Sequence, residues 1–251
     1  MSELRTIREY LSGVSYPGRG ILVGRSVDGL KTWVFYFITA RSEQSRNRVL
    51  AKAKAGLKKK LLGAKYVLAT KAFDESLLKD PHNIIYNAVI RQGDALIVTN
   101  GVQTDAVADA HRKKRSLSDA LRDFSYEDDK PNYTPRICAV VESDGRYKLS
   151  ILKNIGVKSL FPGLSVYEYN YPEAGVGQLI HTYASDGDPL PSFEGTPVPI
   201  SLEQDFEATI EEIWDSLGHD VRVALYAGEV VTKDGKTGFT HTVRNELVNK
   251  K

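Results

Sequence analysis

Between Ala40 and Arg48 the chain gathers three arginines, two serines and an asparagine: Arg41, Ser42, Ser45, Arg46, Asn47 and Arg48. Arginine keeps its proton at neutral pH, and its planar fork holds phosphate or carboxylate in a fixed geometry. The cluster follows an apolar run, Trp33-Val34-Phe35-Tyr36-Phe37-Ile38, and so stands at the mouth of a sheet. One reading is a site for an anionic small molecule; the other is a charged, solvated loop. Similar polar clusters recur along the chain: Tyr16-Pro17-Gly18-Arg19-Gly20, Asp80-Pro81 followed by Ile85-Tyr86-Asn87-Ala88, Asn100-Gly101-Val102-Gln103-Thr104-Asp105, Tyr126-Glu127-Asp128-Asp129 and Asn132-Tyr133-Thr134-Pro135-Arg136. Each alone has a plain structural reading: Asn-Gly is a turn, Gln-Thr-Asp a helix cap, Glu127 a solvated acid. Together they offer cations, amides, hydroxyls and carboxylates without a nucleophile–base pair. That inventory suits a polar, phosphate-bearing ligand better than acyl transfer.

Other chemistries find little support. None of the five histidines (His82, His111, His181, His219, His241) pairs with another at short ligand spacing, and Cys138 is the single cysteine, so no metal site is expected. Cys138 lies in the apolar run Ile137-Cys138-Ala139-Val140-Val141 and reads as an inert core thiol. Gly175-Val176-Gly177 lacks the third glycine of a dinucleotide loop. The basic runs 52–60 and 111–115 carry no interleaved aromatics, and the net charge is only +2, so neither nucleic acid nor a membrane surface is an expected partner. No apolar stretch approaches a membrane span or a signal core, and one cysteine fits a reducing compartment; a cytoplasmic protein is expected.

The elements that must position these clusters follow from periodicity and turn chemistry. At 251 residues, 41% of them hydrophobic, the chain is long enough for one large domain, and no composition break divides it. Residues 3–11 read as a short helix, 21–24 and 32–39 as a hairpin around Asp28-Gly29, and 49–62, rich in Ala, Lys and Leu, as a helix. Strands are expected at 67–69, 84–86 with 88–90, and 95–98, with a turn at Gln92-Gly93-Asp94. Residues 102–124 read as a helix broken at 111–115, with Ser116 capping its second part. Strands resume at 136–142 and 147–152, 165–170 and 177–184 look extended, and four prolines make 186–200 a loop. Ser201 with Gln204 forms a capping box before the stripe Phe206, Ile210, Ile213, Trp214 and Leu217, Gly218 ends that helix, and strands at 221–230 and 237–243 finish the chain. Hairpins and meanders with few helices, rather than alternating βαβ units, indicate an α+β fold with antiparallel sheets.

Taken in order, the polar clusters resemble the archaeal-type IMP cyclohydrolases. The match covers most of residues 16–140: Tyr16-Pro17-Gly18-Arg19, Arg41-Ser42 with Asn47-Arg48, Pro81 with Tyr86-Asn87, Asn100-Gly101, Thr104-Asp105, Tyr126-Glu127 with Asp129, and Thr134-Pro135-Arg136-Ile137. The last third matches more loosely, through Thr182-Tyr183. The chain departs from the family in about fifteen residues before Tyr16, in the basic segments 52–60 and 111–115, and at Arg46, where the family carries proline.

The resemblance implies a four-layer αββα fold like that of the N-terminal-nucleophile hydrolases, without their nucleophile. Ser2, which loss of Met1 would expose, lies too far ahead of Ile21 to serve as one. It also implies the last step of purine synthesis, closure of 5-formamidoimidazole-4-carboxamide ribotide to IMP with loss of water and no cofactor. Arg48, Tyr86 and Glu127 are then expected at the reacting centre, with Glu127 moving protons, Arg48 polarising or anchoring, and Tyr86 donating to the formyl oxygen or stacking on the imidazole. Arg19, Arg41 and Ser42 are candidates for the phosphate. Asn47, Asn87, Asn100, Thr104 and Asp105 would read the carboxamide and ribose or brace the site. A purine-ribotide binder that keeps the pocket without the chemistry is the alternative, and a homo-oligomer is left open.

Overall fold

A computed structural model describes residues 4–53, 63–78, 81, 83–157 and 159–248. Nearly all of its regular structure is antiparallel sheet. Strands β3 (Arg48–Lys52), β4 (Ala64–Ala72), β5 (Asn87–Gln92), β6 (Ala95–Thr99), β7 (Arg136–Val141), β8 (Tyr147–Asn154) and β9 (Pro162–Tyr169) form one sheet in simple chain order. The other sheet runs β11 (Val198–Ser201), β10 (Val176–His181), β1 (Arg19–Arg25), β2 (Lys31–Thr39), β12 (Arg222–Lys233), β13 (Lys236–Asn245). Helices are few: α1 (Ile7–Leu11), α2 (Glu43–Arg46), α3 (Thr104–Arg112), α4 (Leu117–Leu121) and α5 (Phe206–Ser216). The α+β class with antiparallel sheets expected from the sequence is the class observed. Among the described residues no helix is long and apolar enough to cross a membrane.

Side chains alternate across each strand, and this alternation assigns the layers. On β2, Val34, Tyr36 and Ile38 face the other sheet, while Trp33, Phe35 and Phe37 face outward. Outward they meet Ile7 and Leu11 of α1 and Ile210, Ile213 and Trp214 of α5. On the meander sheet, Val98, Ile137 and Ala139 face inward, and Ile97, Cys138 and Val140 pack under α3 and α4. Helices thus cover the outer face of each sheet. A strand covered on both faces needs apolar residues at every position, which explains the unbroken run 33–38.

Several local expectations need correction. Residues 48–52 are an edge strand, not the start of a helix: Arg48 to Lys52 pair in register with Ala72 to Leu68, and this pairing overrides helical composition. Residues 54–62 lie outside the described residues, as do Ser2, Asp80 and His82. Residues 84–86 turn into β5 instead of forming a strand, with the Ile84 and Ile85 amides bonded to Pro81 O. Ser201 does not cap α5. It belongs to β11, and Asp205 caps the helix by accepting from the Ala208 amide at 2.7 Å. The break between α3 and α4 falls where expected, with Lys114 at φ 55° and Ser116 accepting from the Asp119 amide.

Candidate active site

The two sheets meet at one end of the sandwich around a buried ion pair. Arg19 is the first residue of β1, and Glu127 lies on the connection from α4 to β7. The Arg19 Nη2 donates to both Glu127 oxygens, at 2.7 and 2.8 Å, and Glu127 is only 2% exposed. Gly18 makes this placement feasible. It sits at φ +72°, and a Cβ there would lie 2.2 Å from the Thr182 hydroxyl. The same hydroxyl accepts from the Arg19 amide at 3.1 Å, so the glycine lets β1 start flush against Thr182.

A second guanidinium stands behind Glu127. Arg136 Nη1 lies 4.0 Å from Glu127 Oε1. It is fixed by Gln103 Oε1 at 3.2 Å, and its Nε donates to Ser125 O at 2.7 Å. Arg48 supplies a third. It is 3% exposed, and its Nε donates to Ser45 O at 2.7 Å, so α2 holds it in place. Arg19, Ser45, Arg48, Ile84, Glu127 and Asp129 share the walls of a cleft of about 230 Å³. The Arg19 Nε is buried and has no hydrogen-bond partner, leaving one donor for an incoming group.

Tyr86 is buried, and its hydroxyl lies 2.7 Å from that of Tyr36. Both phenols act on the Arg19 guanidinium through space, as does Tyr183. Thr134 ties Tyr183 to Asp129, because its hydroxyl bonds both, and the Glu127 amide donates to Thr134 O at 2.8 Å.

Other expected site residues lie next to this cluster with their polar atoms already satisfied. Asn47 clamps Asp74 through both ends of its amide, at 2.7 and 2.8 Å. Asn100 accepts from the Ile137 amide and donates to Pro135 O, which fixes the start of β7. Asn87 donates to Asp105 at 2.7 Å, and Thr104 bonds the carbonyls of Asn87 and Gly101. Asn87, Asn100, Thr104 and Asp105 brace the strand ends next to Tyr86 and Arg136, and Asn47 ties the start of β3 to the end of β4.

Arg41 and Ser42 stand apart from the buried pair. Ser42 caps α2 by accepting from the Ser45 amide. Arg41 pairs with Asp186, lies 5.0 Å over the Tyr16 ring, and lines a neighbouring cleft of about 470 Å³ together with Arg46 and Asn47. The single turn of α2 therefore divides the arginine-rich segment: Ser45 and Arg48 face one cleft, Arg41 and Arg46 the other. Tyr36 went unrecognised as a site residue, because within 33–38 it reads as one more core aromatic. Gln103 reads in the sequence as part of a helix cap and Arg136 as the first residue of a strand, so neither is assigned a site role there.

Burial governs the electrostatics. It raises the Glu127 carboxyl above its ordinary range, and Arg19 and Arg136 only partly offset this. Burial alone would pull the Arg19 guanidinium down, but Glu127, Tyr183, Tyr86 and Tyr36 outweigh it and leave Arg19 well above its ordinary range. An exposed pair would lower its acid; here loss of water around the carboxylate wins. Burial also lowers Arg136. Elsewhere it pushes the Cys138 thiol up to about 12, as an inert core thiol requires. Among the described residues no three His, Cys, Asp or Glu side chains gather so as to hold a metal ion.

Comparison with known proteins identifies the family. The model of the family described as IMP cyclohydrolase-like protein matches residues 16–235. The chain belongs to this family. It is 31% identical over 167 residues to the IMP cyclohydrolase of Methanosphaera stadtmanae, covering 62% of this chain and 76% of that protein. It is 30% identical over 180 residues to the IMP cyclohydrolase of Methanococcus aeolicus, covering 69% and 82%. A third IMP cyclohydrolase, from Methanococcus maripaludis strain C7, is 32% identical over 143 residues, covering 55% and 64%. The family region runs well past residue 140 and takes in β10, β11 and β12 of the Arg19 sheet. It begins after α1, which docks on α5 through the Arg8 amide and Glu212 and on β10 through Tyr10 and His181.

Proposed function

We propose that this chain is an IMP cyclohydrolase. It closes 5-formamidoimidazole-4-carboxamide ribotide to IMP and releases water. The observation that carries the reading is the buried Glu127, held by Arg19 on the wall of a cleft that Arg48 also lines, in a chain of this family.

Attack by the carboxamide nitrogen on the formyl carbon forms the new C–N bond, and the formyl oxygen takes up the charge. One proton leaves the carboxamide nitrogen for that oxygen. A second leaves the formamido nitrogen for the resulting hydroxyl, the C–O bond breaks, and water departs. The reaction is intramolecular, so orientation of the two arms is the first task, worth up to roughly 7–11 kcal/mol in the best models. The second is to stabilise the oxyanion, worth about 3–4 kcal/mol per well-placed donor. Glu127, its carboxyl raised above its ordinary range by burial, carries the protons. Arg48 is too basic to do so and polarises the formyl group, with Tyr86 donating to its oxygen. Arg19 positions Glu127 and offers its unpartnered Nε to the substrate. Arg41 and Ser42, at the rim beyond α2, hold the phosphate, which competes with Asp186 for Arg41. Asn47, Asn87, Asn100, Thr104 and Asp105 brace the site.

In this reading the chain is one catalytic domain over 1–251 with an N-terminal extension at 1–15. Its fold is kin to the N-terminal-nucleophile hydrolases without their nucleophile. It works in the cytoplasm on a small molecule, with neither metal nor cofactor and without nucleic acid. The test is an ultraviolet assay with the formylated ribotide in the presence of EDTA. Steady formation of IMP is expected. Tight binding of IMP without turnover would leave the non-catalytic binder instead, and activity lost to EDTA and restored by zinc or magnesium would overturn the metal-free mechanism.

A further inference from the structure

Tyr36 is central in β2, fully buried, and its hydroxyl lies 2.7 Å from the hydroxyl of Tyr86. Distance does not say which phenol donates, because either can. Burial does. Tyr36 is 0% exposed, and Tyr86 is the one hydrogen-bond partner of its hydroxyl among the described residues. Were Tyr86 the donor, the Tyr36 hydrogen would be left buried without an acceptor, which costs free energy. Tyr86, at 5% exposed, is the phenol nearer the opening. Once Tyr36 donates, the Tyr86 oxygen is the acceptor, and the Tyr86 hydrogen is left to point elsewhere. Burial raises the Tyr36 hydroxyl well above its ordinary range, so it stays a donor at every working pH.

We propose that Tyr36 is a positioning residue: it donates to the Tyr86 oxygen and so directs the Tyr86 proton toward the formyl oxygen of the substrate. The inference rests on the cyclohydrolase reading, in which Tyr86 reaches that oxygen. Both phenols keep their protons throughout. As negative charge grows on the formyl oxygen, Tyr86 donates more strongly, and its own oxygen becomes a better acceptor from Tyr36. The two bonds reinforce each other in a water-poor setting. Tyr36 never touches substrate, so its effect passes entirely through Tyr86.

The test is a double-mutant cycle on the full chain, with wild type assayed in parallel. Tyr36→Phe is expected to lower kcat about tenfold and to leave KM within about twofold, as for loss of an indirect contribution to oxyanion stabilisation. The variant Tyr36→Phe/Tyr86→Phe is expected to be no slower than Tyr86→Phe alone. A Tyr36→Phe enzyme with wild-type kcat, or losses that multiply in the double variant, would overturn the inference. If Tyr36→Phe fails to fold, 3-fluorotyrosine at position 36 keeps the shape and strengthens the donor. It should then change kcat in the wild-type background and not in Tyr86→Phe, and equal changes in both overturn the inference. A wild-type chain that does not turn over overturns the cyclohydrolase reading and this inference with it, whereas an active wild type with an unchanged Tyr36→Phe overturns this inference alone.

Discussion

Two arginines at the same end of the β1–β2 hairpin meet carboxylates, and the two pairs differ in everything except their chemistry. Arg19 and Glu127 are 8% and 2% exposed, whereas the Arg41 and Asp186 side chains are 42% and 54% exposed. Water weakens the outer pair and lets its partners exchange, so Arg41 can release Asp186 to an incoming anion. The inner pair is largely withdrawn from solvent. Its acid is raised, its cation is locked, and removing one member strands the other. One arginine type thus serves as a fixed part of a reacting centre in one place and as an exchangeable rim contact in the other.

Breaking the inner pair should have the largest effect. Arg19→Met leaves the Glu127 carboxylate buried with only Arg136 nearby, and is expected to cost about 3–5 kcal/mol of stability in urea melts, together with most of the activity. Glu127→Gln keeps the shape and removes the proton carrier. Turnover should fall by about 10²–10⁴ while IMP still binds in calorimetry, and wild-type turnover would remove Glu127 from the mechanism. Arg136 helps to hold the Glu127 carboxyl down, so Arg136→Gln should move the acid limb of kcat/KM to higher pH.

Stability should also respond to acid at a site outside the inner pair. His181 is fully buried between Tyr10 and Tyr183, and burial lowers it from 6.5 to about 4. The unfolded chain takes up the proton first, so stability is unaffected above pH 6.5 and falls as pH drops from 6.5 toward 4. The slope is at most about 1.4 kcal/mol per pH unit and the total about 3 kcal/mol. His181→Gln should flatten that part of the curve. The smallest change belongs to the outer pair: Arg41→Ala should cost under about 1 kcal/mol of stability. Its signature would be kinetic, a raised KM at unchanged kcat. A lowered kcat would place Arg41 at the reacting centre and erase the contrast with Arg19.

The hairpin at Asp28-Gly29, the broken helix after Asn100 and the core-facing stripe of α5 are legible in the sequence, because each rests on neighbours along the chain. The edge strand at 48–52 was not, since its residues favour helix and only pairing with β4 makes them extended. The capping of α5 was misplaced for a related reason. The Ser201 amide bonds Arg5 O in the sheet, which leaves the cap to Asp205. At the site, Arg19, Arg48 and Glu127 stood out as residue types, but their meeting is a property of two sheets closing. Gln103 reads as part of a helix cap and Arg136 as the start of a strand, and only the fold sets Gln103 against Arg136 and Arg136 beside Glu127.

The pairing order of the strands has a kinetic consequence. Every strand of the meander sheet pairs with its neighbour in the chain, and even its longest connection, residues 100–135 between β6 and β7, is far shorter than those the other sheet must close. The other sheet must join Gly20 to His181 and Thr39 to Arg222. Loop closure slows as sequence separation grows, so the meander has the shorter route to assembly. Glu127 travels with the meander and Arg19 with its partner sheet. During refolding the carboxylate waits, hydrated, until the second sheet brings its guanidinium, and turnover should return after most of the β-sheet signal has.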